Sequence, residues 1–62
     1  MTKRIRIENA DASAHKVRVF VEDLQADGMW VRDEGIPFDK PFEMLSTDIH
    51  ARRRVVVEEI PE

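Results

Sequence analysis

Apolar and polar residues alternate along the first half of the chain, with the period of two that is typical of half-buried β-strands. In the segment KRIRIE, Ile5 and Ile7 fall on one face and the charged residues fall on the other. In HKVRVFVEDL, the three valines share one face in the same way. Phe20 falls on the polar side of this second strand, so it is either covered by another part of the chain or belongs to a contact surface.

A hairpin is predicted after the second strand. The dipeptide Asp27-Gly28 suits a two-residue type I′ turn, which needs positive φ at both positions. This turn places Leu24 opposite Val31. Leu24 then falls on the face opposite to Val21, which predicts a β-bulge or a twist near residues 22–23. A further turn is predicted at residues 33–35, which read Asp-Glu-Gly.

Residues 36–50 allow two interpretations. Apolar residues alternate from Ile36 to Met44 as in a strand, and the two prolines of this segment favour an edge position. A short helix over 41–50, with Asp39 as its N-cap, is the alternative, because three apolar residues lie at helical spacing. We favour the strand, since the run STDI contains poor helix formers.

The closing segment ARRRVVVEEI is β-branched at its centre and predicts a fifth strand. Five short strands indicate an all-β fold, a small antiparallel sandwich or open barrel, in a single domain over 1–62. Such a short chain buries little apolar surface. It has no cysteine and two histidines, so disulfides and structural zinc cannot reinforce it. We therefore expect stabilisation by association with other subunits.

The net charge of −3 comes from 13 acidic and 10 basic residues spread along the whole chain. This balance favours solubility over a polyanionic partner. The N-terminal MTKRIRIE lacks the apolar run of a signal peptide, and no segment approaches the ~20 apolar residues of a membrane span. We expect a soluble, cytoplasmic protein that binds no membrane. Nucleic-acid binding, which we do not favour, would require cooperation among Arg4, Arg6, Lys16 and Arg18.

No residue pattern predicts an enzyme or a ligand site. Asn9, Asp11, Ser13 and His15 alternate like calcium ligands, but the glycine and glutamate that an EF-hand loop needs are absent from its sixth and twelfth positions. Neither His15 nor His50 has the spacing of a metal or acid–base site. The chain also has no nucleophile motif or glycine-rich phosphate loop. We expect no catalysis, no cofactor, no metal and no small-molecule substrate.

The three consecutive arginines of HARRRVVVEEIPE do not form a compact basic patch in a strand. Successive side chains point to opposite faces, so Arg53 shares a face with Val55, whereas Arg52 and Arg54 share the other with Val56. Acidic residues at the far end of the same strand weaken the positive potential further. This pattern argues against binding to a phosphate backbone.

The same segment is complementary to its own reverse. If two copies meet antiparallel about a two-fold axis at Val56, Arg54 faces Glu58 and Arg53 faces Glu59. We take this pairing as a hypothesis for a homo-oligomer. The alternative is that the strand pairs within the subunit. Its arginines would then be partnered by one of Glu8, Glu22 and Asp23.

Two aromatic residues complete the candidate interface. Trp30 follows the predicted hairpin turn and is either a core residue or an exposed interface anchor. Phe20, as stated above, is either covered by another part of the chain or part of a contact surface. The candidate interface residues are Arg53, Arg54, Val55, Val56, Val57, Glu58, Glu59, Phe20 and Trp30.

The layout IRIEN, a polar loop, HKVRVFVED and a late RRRVVVEE resembles the short β-rich proteins of unassigned role encoded among the virion genes of tailed bacteriophages. The resemblance implies a virion or assembly component that acts through symmetric contacts, located in the virion if phage-encoded. The leading hypothesis is a non-enzymatic structural or interaction protein, working as a homo-oligomer or in a larger protein assembly. A small regulatory module that binds nucleic acid or a host protein is the alternative.

Overall fold

The computed structural model describes residues 1–10, 12–13 and 15–61, and these residues form an all-β fold without a helix. The predicted fold class is confirmed, with six strands in two sheets where five strands were predicted. The strands are β1 (Lys3–Glu8), β2 (Val17–Leu24), β3 (Trp30–Arg32), β4 (Ile36–Pro37), β5 (Met44–Ile49) and β6 (Arg53–Glu59).

Strand β2 is the centre of the larger sheet. It pairs along its whole length with β6 on one side, and on the other side with β3 near its end and β4 near its start. Strands β1 and β5 form the second sheet, and all of these pairings are antiparallel. A tight turn at residues 50–53 joins β5 to β6 and so connects the two sheets.

The segment 41–50 contains a strand, so the favoured interpretation is confirmed and the helix alternative is wrong. In β5, Leu45 pairs with Ile7 and Thr47 pairs with Ile5, which places half-buried residues of both strands on one face. The alternation predicted from Ile36 is interrupted. A turn breaks it just before β5, where Phe42 adopts a positive φ of 59°.

The hairpin between β2 and β3 has a three-residue loop. The predicted two-residue turn is therefore wrong, and the predicted register is shifted by one position. The Gln25 amide donates to the Met29 carbonyl at 2.8 Å, and the Gly28 amide donates to the Gln25 carbonyl at 3.0 Å. Gly28 has a φ of 85°, as in a type I turn followed by a left-handed residue. Leu24 consequently pairs with Trp30 rather than with Val31.

The predicted bulge lies on the neighbouring strand and not in β2. The β2–β6 register is uninterrupted from Val17 to Asp23. Along the other side of β2, the Asp33 amide bonds to the Val21 carbonyl, but Ile36 pairs with Val19. Residues 34–35 therefore oppose Phe20 together, and Gly35 accommodates the bulge with a φ of 79°. The turn predicted at 33–35 is wrong, because these residues form the bulge between β3 and β4 and the chain continues along β2.

The core is very small for the surface that encloses it. Among the described residues, Val19 and Phe38 are the buried apolar side chains, at 2% and 3% exposure. The accessible surface is 4865 Å², against about 4,200 Å² for a compact monomer of this mass. The radius of gyration is 12.9 Å, against about 10.5 Å for a compact domain of this length. The chain is a thin plate of 39 × 26 × 11 Å.

Candidate interaction surface

Strand β6, which carries most of the candidate interface residues, pairs with β2 inside the subunit. Val55 lies opposite Val21, Val56 lies opposite Phe20, and Val57 lies opposite Val19. On this side of β6, the alternative of pairing within the subunit is therefore the arrangement found.

The charge partners of the β6 arginines are two of the three acidic residues considered from the sequence. The Arg53 Nε donates to the Asp23 carboxylate at 2.8 Å, and the Arg54 Nε donates to the Glu22 carboxylate at 2.6 Å. The third, Glu8, lies in β1 of the other sheet. The hydrogen bond to Asp23 raises the pKa of Arg53 above its ordinary value, so this guanidinium stays charged.

Glu22 is the centre of an ion-pair row on one face of the larger sheet. It is 6% exposed and lies between Arg32 of β3 and Arg54 of β6, which are its neighbours across the sheet. The Arg32 Nε donates to the Glu22 carboxylate at 2.7 Å, and its Nη1 donates to the Glu58 carboxylate at 2.6 Å. We call Arg32, Glu22, Arg54 and Glu58 the charge ladder.

The charge ladder keeps its buried carboxylate ionised. Hydrogen bonds from Arg32 first and Arg54 second hold the pKa of Glu22 below its ordinary value of 4.5, against the opposing effect of desolvation. The hydrogen bond to Glu22 likewise raises the pKa of Arg32. A carboxylate that accepts from two guanidinium groups helps to fix the orientation of both.

Glu22→Gln is expected to lower the midpoint of thermal unfolding by on the order of 10 °C at neutral pH, because two partly buried charge-assisted hydrogen bonds are weakened. The pKa of Glu22 is lowered in the folded state, so its contribution is complete above the ordinary value of 4.5 and is lost as the pH falls below it. Thermal melts from about pH 7 to about pH 3 should show a smaller acid loss for the variant. Parallel pH profiles for the two proteins would contradict this.

Phe20 and Trp30 are half-buried beneath the arginines of the charge ladder. The Arg32 guanidinium carbon lies 4.5 Å from the centre of the Phe20 ring, and that of Arg54 lies 4.1 Å from the centre of the Trp30 ring. Phe20 is thus covered by another part of the chain, which was one of its two predicted interpretations. Trp30 is neither a core residue nor a bare anchor, because it packs under Arg54 at the surface.

The outer side of β6 is an open sheet edge. The Leu24 amide donates to the Arg52 carbonyl, and the Ile60 amide donates to the Lys16 carbonyl, each at 2.8 Å. Because backbone groups alternate in direction along a strand, the even-numbered residues of β6 turn toward β2 and the odd-numbered ones turn away. Within the described residues, β6 pairs only with β2 and, at Arg53, with His50. The outward groups of Val55 and Val57 are therefore available.

This edge differs from the others in length and composition. Strands β3 and β4, on the opposite edge, have three and two residues, with Pro37 and a bulge that hinder pairing. Strand β1 carries four charged residues in six. Strand β6 has seven residues with a run of three valines at its centre, and Val57 is 50% exposed. We call the outward side of Arg54–Glu58 the open edge.

The four basic residues that nucleic-acid binding would require are divided between the two sheets. Arg4 lies in β1 and pairs with Asp48 at 3.2 Å, whereas Arg18 lies in β2 and donates to the Glu34 carbonyl at 2.8 Å. Lys16 directly precedes β2, and Arg6 is on β1.

The histidines lie in ordinary surface contacts. His15 is 3.1 Å from the Glu59 carboxylate, and His50 accepts the Arg52 amide through its Nδ1 at 3.2 Å. Asp11, part of the calcium-like pattern, lies outside the described residues. In the described part of the chain, no three His, Asp or Glu residues gather in a way that could hold a metal ion. Nor does this part contain a helix with the length and apolarity to cross a membrane.

Two members of the charge ladder, Glu22 and Arg32, were not among the predicted site residues. Within the sequence of its own strand, each of them is an ordinary polar residue. The signal that could have identified them is the hairpin register, because Glu22 faces Arg32 only when the loop has three residues. Comparison of the chain with protein-family models, with curated proteins and with solved structures finds no match.

Proposed function

We propose that this chain is a non-enzymatic interaction protein that works through protein–protein contacts as a homo-oligomer, on its own or within a larger assembly. The observation that carries the proposal is the open edge of β6. It combines unpaired backbone groups with a valine run at the margin of a plate that has very little core. Such an edge is a template for strand addition.

The excess of accessible surface supports the same proposal. With two buried apolar side chains among the described residues, the subunit gains little from its own core, and apolar contact between subunits adds burial that the monomer lacks. Several large apolar residues are exposed besides Val57. They are Met29, Val31, Ile36, Phe42 and Met44.

The layout described above supports a more specific proposal. Short β-rich proteins of phage virions are the class that the strand and loop pattern resembles, and a virion or assembly component acts through repeated, symmetric contacts. A thin plate with a free strand edge is suited to such contacts.

Val57→Pro tests the role of the open edge. The Val57 amide points away from β2, so proline removes an outward donor without removing a hydrogen bond inside the subunit. We expect association to weaken at least about tenfold, measured as solution mass against concentration by light scattering. Circular dichroism should remain that of the unmodified chain.

Val57→Thr is the matched control, because threonine has nearly the shape of valine and retains the amide. It should associate more strongly than Val57→Pro, since it loses only the apolar contact of one methyl group. If Val57→Pro associates as strongly as Val57→Thr, the contact lies elsewhere. If the unmodified chain is monomeric throughout, the proposed homo-oligomer fails.

A further inference from the structure

We propose that the occupant of the open edge is a second copy of this chain, with the two β6 strands antiparallel about a two-fold axis at Val56. The two larger sheets then become one continuous sheet. This inference rests on the proposed function above and specifies its partner and register.

The backbone of β6 permits this register. Hydrogen-bonded pairs across an antiparallel contact must be built from outward-turned residues. With the axis at Val56, Val55 of each copy faces Val57 of the other, and both are outward residues. His50 already occupies the outward groups of Arg53, so the contact is confined to Arg54–Glu58.

The charge ladder continues across the axis. Arg32, Glu22 and Arg54 form a row within one subunit. With the axis at Val56, Arg54 faces Glu58 of the second copy, and Arg18 is the neighbour of Glu58 in every subunit. The row then reads Arg32, Glu22, Arg54, Glu58, Arg18, alternating in sign over its whole length. Opposite charges in facing strands favour the pairing.

Apolar residues meet apolar residues in the rows between the charges. At the axis, Val56 of one copy faces Val56 of the other. Within each subunit, Val56 also pairs with Phe20 of β2. On the other face, a row of four valines crosses the contact. It consists of Val21 and Val55 of one copy, followed by Val57 and Val19 of the second. Val57, half exposed in the single subunit, thereby gains an apolar neighbour.

The neighbouring symmetric registers lose this match. An axis at Val57 places Val56 against Glu58 and Arg54 against Ile60. An axis at Val55 places Arg54 against Val56. Each of these puts charged residues against apolar ones, so the sequence of β6 selects the axis at Val56.

Two single-cysteine variants test the register, because the native chain has no cysteine. At a non-hydrogen-bonded antiparallel pair, the Cα atoms are about 4.5 Å apart, which a disulfide spans. Val56→Cys should therefore form a disulfide-linked dimer on mild oxidation. The two copies of residue 57 are diagonal neighbours about 7–8 Å apart, beyond that span. Val57→Cys should crosslink at least about tenfold more slowly.

The outcomes separate the register from the proposed function. Reduced Val56→Cys should retain the spectrum and solution mass of the unmodified chain, which shows that the variant is folded. Faster crosslinking of Val57→Cys, or no crosslinking of either variant while the unmodified chain is an oligomer, overturns the axis at Val56 and leaves the proposed function intact. An unmodified chain that stays monomeric overturns both.

Discussion

Phe38→Ala is expected to lower the free energy of unfolding by about 3–5 kcal/mol, the usual cost of removing a buried phenylalanine. A chain of this length has a total stability of about 3–9 kcal/mol. The variant should therefore lose at least about a third of its stability, and all of it if the total lies at the lower end of that range. Phe38 has this importance because it is one of two buried apolar side chains in the described residues, at 3% exposure.

The position of Phe38 explains the size of the effect. It follows β4, and its amide donates to the Val17 carbonyl at 2.8 Å. It lines a cavity of about 200 Å³ together with Ile7 of β1, Val17 of β2 and Val57 of β6, so it lies where the two sheets meet. Truncation enlarges a space that the small core cannot collapse to fill.

Phe42→Ala is the matched control for Phe38→Ala. Phe42 is 62% exposed, and the same truncation there should change stability by less than about 0.5 kcal/mol. Denaturant unfolding at one fixed protein concentration measures both, since association would otherwise shift the midpoint. Equal losses for the two variants would show that the junction of the sheets does not depend on Phe38.

Gly35→Ala is expected to cost about 2–5 kcal/mol, the second large effect. Gly35 has a φ of 79°, where an L side chain is strained. A Cβ atom there would also lie 2.7 Å from the Phe20 ring and 2.8 Å from the Arg18 Cδ. The Phe20 ring would have to shift, and the Arg32 guanidinium that covers it would shift too.

Gly28→Ala separates backbone strain from this steric conflict. Gly28 has a nearly equal φ of 85°, but an added Cβ would meet no atom within 4 Å. We expect about 1–2 kcal/mol from strain alone, measured by the same denaturant unfolding. Equal effects at the two glycines would mean that the bulge does not pack against Phe20.

The strands could be predicted where one face is polar and the other is apolar. The alternation in KRIRIE and VRVFVED correctly placed β1 and β2, and the β-branched run correctly placed β6. The hairpin register could not be predicted, because Asp27-Gly28 fits both a two-residue turn and a three-residue loop ending in a left-handed glycine. A change of one residue reverses which side chains share a face.

The core was predicted less well than the strands. Phe38 lies between Pro37 and Asp39, where periodicity suggests only an irregular edge, and its burial follows from the meeting of two sheets.

The candidate surface was predicted in part. Glu22 and Asp23 were among the charge partners considered for the β6 arginines, and the structure pairs them with Arg54 and Arg53. The contacts of Arg32 with Glu22 and Glu58 could not be predicted, because they depend on the registers of β3, β2 and β6 together.

In the proposed dimer, the charge ladder and the open edge would have complementary effects. Backbone groups and valines on the edge supply attraction, whereas the fixed charges disfavour registers that misalign them. Each charge of the ladder is already paired within the subunit. Strength of association and choice of register therefore depend on different residues.

The most direct test of the proposed homo-oligomer is the solution mass of the unmodified chain, measured by light scattering from about 1 to about 100 µM. The proposed homo-oligomer should have a mass of at least twice 7.3 kDa at the upper end, falling toward 7.3 kDa on dilution. A folded chain that keeps a mass of 7.3 kDa at every concentration would contradict it.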